Sequence, residues 1–439
     1  MITEIHLGRL KLNTTFFWQD FQPERWVLDK LIFSSFATIA CSSAAVFEIS
    51  RIRIDDFFQW EENVKLTFTT KKRLIVAAVT LALIFPGTMK AGETIKLGVA
   101  GAHSGDLASY GLPTVNAAKL VVEEVNARGG INGKKIELLV EDDMCKPELA
   151  TNSATKLVSQ GVDVVIGHIC SGATKAALPI YKEAGVILIS PTATSPELTQ
   201  SGQYPNFFRT IASDDRQAQP EVEYVLNVLA AKKVAVIHDK GDYGKGLAEI
   251  ARKLVQDSGK GEVVLFEGVT PGAVDYSAIV QKIKQSQADA VIFGGYHPEA
   301  SKIVSMMRKK RMNIAFVSDD GVKDNTFIKV AGKDAEGVYA TGPRDNSQNP
   351  LAQAANAAHK KAYNTDPGAF YESAYSAVLA LVNAMEKAGS TDMAVLSKAL
   401  RTEKVDTPVG TIHFDDKGDA VGVGFAMYQV REGKFVEVK

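Results

Sequence analysis

Short apolar segments alternate with amphipathic segments along most of this chain. The first clear case is an apolar run over 95–100, followed by a glycine- and serine-containing loop over 101–111. The next segment carries apolar residues at helical spacing and ends at Gly129-Gly130, where glycine favours a helix C-terminus. Further strands are predicted at 136–140, 162–166 and 186–189. Strands that alternate with helices predict βαβ units and a parallel sheet.

The same alternation begins again after about residue 213. Strands are predicted at 234–238, 263–266, 290–293 and 315–317, with helices at 244–258 and 276–286 between them. Because one run of βαβ units builds one sheet, two runs predict two sheets. The fold class is therefore predicted to be α/β, with two doubly wound parallel-sheet lobes.

The C-terminal part departs from this alternation. Its pattern predicts three consecutive helices at 350–363, 369–388 and 392–400, and then strand-like segments at 411–414 and 425–430. We expect the chain to return to the first lobe and to end near the second. The expected boundaries are 94–212 with 341–421 for lobe 1, and 213–340 with 422–439 for lobe 2.

The segment before the first strand has the pattern of a secretory signal. A basic triplet at 71–73 precedes an uncharged apolar run over 74–85, a Pro-Gly break and the small residue Ala91. The apolar run is shorter than the roughly 20 residues that a membrane span needs. This pattern predicts a signal peptide over 71–91, with a retained membrane anchor as the alternative.

We expect the mature chain to begin near Gly92, because a secretory signal is removed during export. Residues 1–70 are then a dispensable leader or the result of a misplaced start. A lipoprotein signal ending at Cys41 is a rival interpretation. The intact mass of the protein from a periplasmic fraction tests the expectation, and finding residues 1–70 on the purified chain would contradict it.

Composition narrows the class of protein. The chain has 439 residues, enough for two domains, and 46% of them are hydrophobic, which is typical of globular proteins. The 50 basic and 51 acidic residues leave no basic excess for binding nucleic acid or an anionic membrane surface. We therefore predict no nucleic-acid partner.

Three cysteines occur, Cys41, Cys145 and Cys170. If the first lies in a discarded leader, the remaining pair in an exported protein predicts a disulfide. The competing interpretation is a zinc site that combines these two thiols with His168 and a neighbouring aspartate. The usual zinc-site spacings of cysteine and histidine are missing, so we predict no metal and no cofactor.

The residues that follow each predicted strand are the candidate binding residues, because ligands of open α/β sheets lie beyond the carboxyl ends of the strands. In the first run these residues are mainly hydroxyl-bearing. Ser171 stands where a helix over 172–184 begins, and Thr194 follows the next strand. Hydroxyls and free N–H groups at a helix start can hold a carboxylate. Helix capping is the alternative use of both residues.

The corresponding positions of the second run carry tyrosines and acids. Asp320 follows the last strand of this run and is a candidate partner for an ammonium group, with a solvated turn as the alternative. Together the two runs suit a zwitterionic ligand.

Motifs for catalysis are missing. The segment around Ser104 departs from the nucleophile elbow Gly-x-Ser-x-Gly, because its serine is displaced by one position. Neither a phosphate loop nor a Gly-x-Gly-x-x-Gly turn occurs. We predict that the chain is not an enzyme and has no catalytic residues.

A series of short motifs in a specific order carries a family resemblance. The motifs lie at 126–133, 141–145, 166–171, 191–198, 238–244, 294–299 and 405–410. With them, residues 94–439 resemble the leucine/isoleucine/valine-binding proteins of the bacterial periplasm, which have the type I periplasmic-binding-protein fold. The resemblance implies two lobes joined by three crossovers and closing on an amino acid. It also implies a periplasmic monomer that delivers leucine, isoleucine or valine to the permease of an ABC importer.

The resemblance assigns roles to residues of both lobes. It implies that Ser171 and Thr194 bind the ligand's carboxylate, and that the Thr192 carbonyl and the Thr194 hydroxyl meet its ammonium group. It implies that Tyr243 and Tyr296 close on the ligand from the other lobe.

The resemblance also implies a side-chain pocket and a disulfide. Tyr110, Cys170 and Phe370 correspond to side-chain pocket positions, and Cys145 is paired with Cys170. The family's leucine binders carry Pro-Glu-Gly where this chain has Asp-Asp-Gly, so Asp320 is one methylene shorter than the Glu that meets the ammonium.

A second departure follows Phe370, where this chain has Tyr371 and Glu372 in place of the family's apolar or large aromatic residues, and the two departures leave other ligands open. A binder of an amide, urea or γ-amino acid in the same fold is one alternative, and a sensory ligand-binding subunit is another.

Overall fold

The computed structural model describes two short strands near the N-terminus and residues 94–438. The chain divides into two compact units, Met1–Met89 and Lys90–Lys439. In the first unit, β1 (Ile5–Leu7) pairs antiparallel with β2 (Leu10–Leu12). The predicted signal peptide over 71–91 and Cys41 lie outside the described residues, and so does the predicted leader apart from β1 and β2.

The first large sheet is parallel throughout, in the order β4-β3-β5-β6-β7. Its strands are β3 (Ile95–Gly101), β4 (Ile136–Asp142), β5 (Val164–Ile166), β6 (Ile187–Ser190) and β7 (Phe207–Arg209). The helices between them are α1 (Ala108–Ala127), α2 (Pro147–Ser159), α3 (Ser171–Glu183) and the short α4 (Glu197–Gln200). The central strands β5 and β6 are buried over their full length, as expected for a parallel sheet covered on both faces.

The second large sheet repeats this winding in the order β16-β15-β12-β11-β10-β8-β9. Its parallel strands are β8 (Lys233–His238), β9 (Glu262–Gly268), β10 (Ala290–Gly294), β11 (Ala315–Ser318) and β12 (Tyr339–Pro343). Its helices are α5 (Asp214–Glu223), α6 (Asp242–Ser258), α7 (Ser277–Ser286), α8 (His297–Lys309) and α9 (Asn325–Ala331). A π-helical turn (Tyr224–Val228) continues α5, and a 3-10 turn (Gly332–Ala335) follows α9.

The C-terminal elements return to both sheets. They are α10 (Pro350–Tyr363), α11 (Tyr371–Ala388), α12 (Met393–Thr402), β13 (Val405–Thr407), β14 (Gly410–Ile412), β15 (Phe425–Arg431) and β16 (Lys434–Val438). Leu381 of α11 and Leu396 of α12 pack in the core that includes Leu97 of the first sheet. Strands β15 and β16 extend the second sheet as antiparallel edge strands. The chain therefore passes between the sheets three times, after β7, after β12 and before β15.

The predicted fold class, two doubly wound parallel-sheet lobes joined by three crossovers, is confirmed. One local expectation is wrong: helix α1 begins at Ala108, whereas a loop was predicted to run to residue 111. The glycines and serine of 101–111 favour a loop, but the helix begins before Gly111 and includes Pro113, which has no N–H to donate to the Ser109 carbonyl oxygen. Gly111 is needed because a Cβ there would lie 1.8 Å from the Ala102 carbonyl oxygen.

In the part of the chain that the structure describes, no helix is both long and apolar enough to cross a bilayer.

Candidate functional site

A small cavity lies between the carboxyl ends of the two large sheets. The lining residues are Tyr110, Ile169, Ser171, Thr192, Tyr243, Tyr296, Asp320, Gly321 and Phe370. The structure thus brings together seven of the nine residues expected at the ligand from the sequence, all but Thr194 and Cys170.

The first-sheet wall of the cavity carries hydroxyls and the start of helix α3. Ser171 is the first residue of α3 and only 2% exposed, and its Oγ accepts a hydrogen bond from the Ser195 N–H (3.2 Å). It therefore joins the two loops of this wall instead of capping its own helix. The Thr192 hydroxyl donates to the Ile169 carbonyl oxygen (2.5 Å), which fixes the second loop against the first.

A buried arginine holds the loop that carries Thr192. Arg209, at the end of β7, has no exposed surface. Its guanidinium donates to the carbonyl oxygens of Ala193 (3.2 Å) and Ser195 (2.9 Å), to the Thr199 hydroxyl (2.8 Å) and to Asp419 Oδ1 (2.5 Å). Arginine offers five N–H donors in a rigid, planar arrangement. One side chain can therefore donate hydrogen bonds to the carbonyl oxygens of the loop and also pair with the Asp419 carboxylate.

The second-sheet wall presents one carboxylate. Asp320 follows β11 and is 3% exposed. Its Oδ1 accepts hydrogen bonds from the Tyr243 hydroxyl (2.5 Å) and from Gln217 Nε2 (3.0 Å). Tyr243 belongs to the first turn of α6, and its oxygen also accepts the Gly321 N–H (3.3 Å). The carboxylate is therefore oriented by neutral donors, and no basic side chain among the described residues forms a direct ion pair with it.

Two glycines bring the second-lobe tyrosines together. A Cβ on Gly244 would lie 2.4 Å from the Gly294 carbonyl oxygen, and one on Gly294 would lie 2.2 Å from the Gly244 carbonyl oxygen. Only glycine allows helix α6 to approach the end of β10 so closely. Tyr243 precedes Gly244, and Tyr296 lies two residues after Gly294. The centroids of the two tyrosine rings lie 5.3 Å apart.

Aromatic side chains from both lobes enclose the cavity. The Tyr110 ring of α1 lies 6.1 Å from Tyr296 and 5.9 Å from Phe370 by centroids. The Tyr110 hydroxyl donates to the Gly321 carbonyl oxygen (2.5 Å), a bond that connects the first lobe with the loop carrying Asp320. The described conformation is therefore the closed one.

Burial controls the ionisation of the acids near the cavity. Desolvation raises the pKa of Asp320 to about 6, although the hydrogen bonds from Tyr243 and Gln217 lower it in part. Desolvation and the nearby Asp320 raise the pKa of Asp319 well above its usual range. Desolvation also raises the pKa of Asp214 to about 8, opposed by the Thr194 hydroxyl. This part of the second-lobe wall is rich in carboxyl groups and short of cations, which favours a cationic ligand group.

Two expected residues, Thr194 and Cys170, do not line the cavity. Thr194 is 1% exposed and lies beside Asp214, and its hydroxyl has no ordinary hydrogen bond within the described part of the chain. Sequence reasoning did not include Ile169 or Gly321, although both belong to motifs that follow predicted strands. It also missed Gln217, since no motif singles out this residue.

The cysteine pair is joined as a disulfide. Cys145 and Cys170 are bonded, with their Cα atoms 5.4 Å apart, so neither sulfur is available to zinc as a thiolate. Cys170 immediately precedes Ser171, and the bond therefore holds the start of α3 against the loop after β4. Among the described residues, no group of three or more His, Cys, Asp or Glu side chains could hold a metal ion.

Comparison with known proteins gives consistent similarities. The sequence profile described as "Periplasmic binding protein" matches residues 94–434. The Leucine-, isoleucine-, valine-, threonine-, and alanine-binding protein of Pseudomonas aeruginosa is 37% identical over 362 residues, covering 82% of this chain and 96% of that protein. The Leu/Ile/Val-binding protein of Escherichia coli is 36% identical, with 81% and 95% covered.

Solved structures agree with these sequence matches. The branched-chain amino acid transporter substrate binding protein LivJ from Streptococcus pneumoniae, in complex with isoleucine, superimposes with a TM-score of 0.71. It is 32% identical, and the match covers 79% of this chain and all of that one. The leucine binding protein LivK from Thermotoga maritima gives a TM-score of 0.74 at 25% identity, with 79% and 98% covered.

Proposed function

The chain belongs to the periplasmic binding protein family, and from this premise we propose that it is the solute-binding protein of an ABC importer. It captures leucine, isoleucine or valine between its two lobes and delivers the amino acid to a membrane permease. The names of its relatives support this ligand class, because they bind branched-chain amino acids.

The observation that carries the proposal is the division of polar groups across the cavity. One wall holds the Ser171 hydroxyl at the N-terminus of α3, and the other holds the carboxylate of Asp320. A helix N-terminus and hydroxyls stabilise a carboxylate. A buried carboxylate stabilises an ammonium group that has lost its water. The two walls together complement the two charges of an α-amino acid.

The remaining lining suits an aliphatic side chain. Ile169, Phe370 and the Tyr110 ring give the cavity apolar surface, as is common in sites for small molecules. A branched aliphatic side chain would pack against these residues, and its burial would add hydrophobic free energy. The ammonium group is assigned to Asp320, with Tyr243 and Tyr296 closing over the backbone of the ligand.

Capture by lobe closure requires no bond to be made or broken, so the proposed activity is binding and not catalysis. The proposed location is the periplasm, after export directed by residues 71–91. The protein is proposed to act there as a monomer.

The ligand class can be tested with a thermal-shift panel of the L-amino acids, small amides, urea and γ-aminobutyrate. We expect leucine, isoleucine and valine to raise the melting temperature most. A ligand at 100 times its dissociation constant adds about 2.7 kcal/mol to the free energy of unfolding.

Two leucine derivatives serve as matched controls. Leucine amide lacks the carboxylate and 4-methylpentanoate lacks the ammonium group, and neither is expected to shift the melting temperature comparably. A larger shift with urea, an amide or γ-aminobutyrate would replace the branched-chain assignment by one of those ligands. The absence of any shift across the panel would contradict the amino-acid class.

A further inference from the structure

Helix α5 has a buried polar face. Asp214, Gln217 and Glu221 stand at positions i, i+3 and i+7 of this helix, and none of the three has exposed surface. Residues at this spacing lie one above the other on a helix. The buried face of a helix is normally apolar, but this one consists of two acids and an amide, and the amide contacts Asp320.

The orientation of the Gln217 amide is determined by its partners. Gln217 Nε2 donates to Asp320 Oδ1 (3.0 Å) and to the Thr341 hydroxyl oxygen (2.9 Å). A carboxylate only accepts hydrogen bonds, so the nitrogen must face Asp320. Gln217 Oε1 is then buried on the other side, without a hydrogen-bond donor in the described part of the chain.

Glu221 lies one turn further along the helix, and its carboxyl group also lacks a hydrogen-bond partner. Both of its carboxyl oxygens are buried and meet no donor among the described residues. The acids that face it are Asp320 and Asp214, and Asp319 is affected by its charge in turn. Burial, followed by repulsion from Asp320 and Asp214, raises the pKa of Glu221 well above its usual range. An ionised Glu221 would be an unpaired buried charge, which proteins avoid by keeping the proton.

A proton on Glu221 would supply the donor that Gln217 Oε1 lacks and would remove the unpaired buried charge. We propose that Glu221 is a positioning residue of the ligand site: as a neutral carboxylic acid it donates a hydrogen bond to Gln217 Oε1 and so fixes the amide that orients Asp320. Side chains four residues apart on a helix are adjacent, which brings the two groups within reach. The role in ligand binding rests on the proposed function, whereas the protonation of Glu221 does not.

The protonation is tested by comparing wild-type protein with Glu221→Gln in chemical unfolding between pH 5 and pH 8. A raised pKa in the folded state stabilises the fold below the unfolded value, 4.5, and this contribution is lost as the pH rises. The unfolding constant of wild type relative to the variant should therefore rise by up to about tenfold per pH unit. A ratio that is flat across this range would overturn the proposal.

The positioning role is tested by leucine affinity at pH 7. Glu221→Gln keeps a donor next to Gln217 Oε1, so its dissociation constant should stay within about threefold of wild type. Glu221→Ala removes the donor and should weaken binding by about five- to tenfold. Glu223→Gln, an exposed acid of the same helix, is the control and should change nothing. Equal affinity in the alanine and glutamine variants would remove Glu221 from the site.

The two tests separate the two hypotheses. If leucine does not bind to wild-type protein, the proposed function fails while the unfolding comparison still reports whether Glu221 carries a proton. If leucine binds and the unfolding ratio is flat, the function stands and the role of Glu221 is rejected.

Discussion

Replacing Asp320 by alanine should weaken leucine binding by about 2–5 kcal/mol, which is a factor of 30 or more in the dissociation constant. The ammonium group loses its water when the lobes close, and Asp320 is the one carboxylate among the cavity-lining residues. Without this partner the cation would be buried and unpaired. Isothermal calorimetry measures the loss, with folding of the variant confirmed by its melting curve.

The neighbouring acid provides the matched control. Asp319 is as buried as Asp320 but does not line the cavity. Its raised pKa favours the protonated form, so Asp319→Asn is nearly isosteric and should bind leucine within about threefold of wild type. Asp320→Glu, which restores the length of the family's side chain, should keep branched-chain binding. An Asp320→Ala variant with affinity within about twofold of wild type would exclude Asp320 from the site.

The same residue sets the expected response to pH. The folded-state pKa of Asp320 is about 6, and only the ionised form attracts an ammonium group. Leucine affinity should therefore fall as the pH drops through about 6, by up to tenfold per pH unit below it. Asp320→Ala should lose this contribution to the pH dependence.

Removing the disulfide is expected to cost about 3–4 kcal/mol of unfolding free energy. Cys145 and Cys170 are 25 residues apart, and a crosslink of this span restricts the unfolded chain by that amount in the chain-entropy estimate. Urea unfolding of the Cys145→Ser, Cys170→Ser double variant measures the loss.

Reductant supplies the control for this experiment. It should lower the melting temperature of wild type and leave that of the double variant unchanged. Titration of two free thiols in the exported, oxidised protein would contradict the bond.

The elements that follow ordinary apolar patterns could be predicted from the sequence. Strand β3 was expected to end at residue 100 and ends at Gly101, and the polar residues after β5, β6 and β11 do meet in one cavity. This succeeds because parallel strands present their carboxyl ends at the same edge of a sheet. The sequence alone therefore places Ser171 and Asp320 in a common site.

Elements that bury polar groups could not be predicted. Helix α5 gave no helical signal, because its buried face consists of Asp214, Gln217 and Glu221 and inverts the usual pattern. Strand β7 is only three residues long and ends in the buried Arg209. A charged residue is normally expected at the surface, and Arg209 is buried because four acceptors bind its guanidinium, which the sequence does not reveal. The role of Thr194 at the ligand stays a prediction, because its hydroxyl is buried without a hydrogen-bond partner among the described residues and does not belong to the cavity lining.

The hydrogen bond from the Tyr110 hydroxyl to the Gly321 carbonyl oxygen has a kinetic consequence. It joins the first lobe to the peptide next to Asp320, and both of its residues line the cavity in which the amino acid is proposed to bind. A captured molecule then escapes only after this bond has broken, so its residence time is set by the frequency of lobe opening. Removing the hydroxyl, as in Tyr110→Phe, acts on the dissociation rate constant, while the encounter rate with the open form is unchanged.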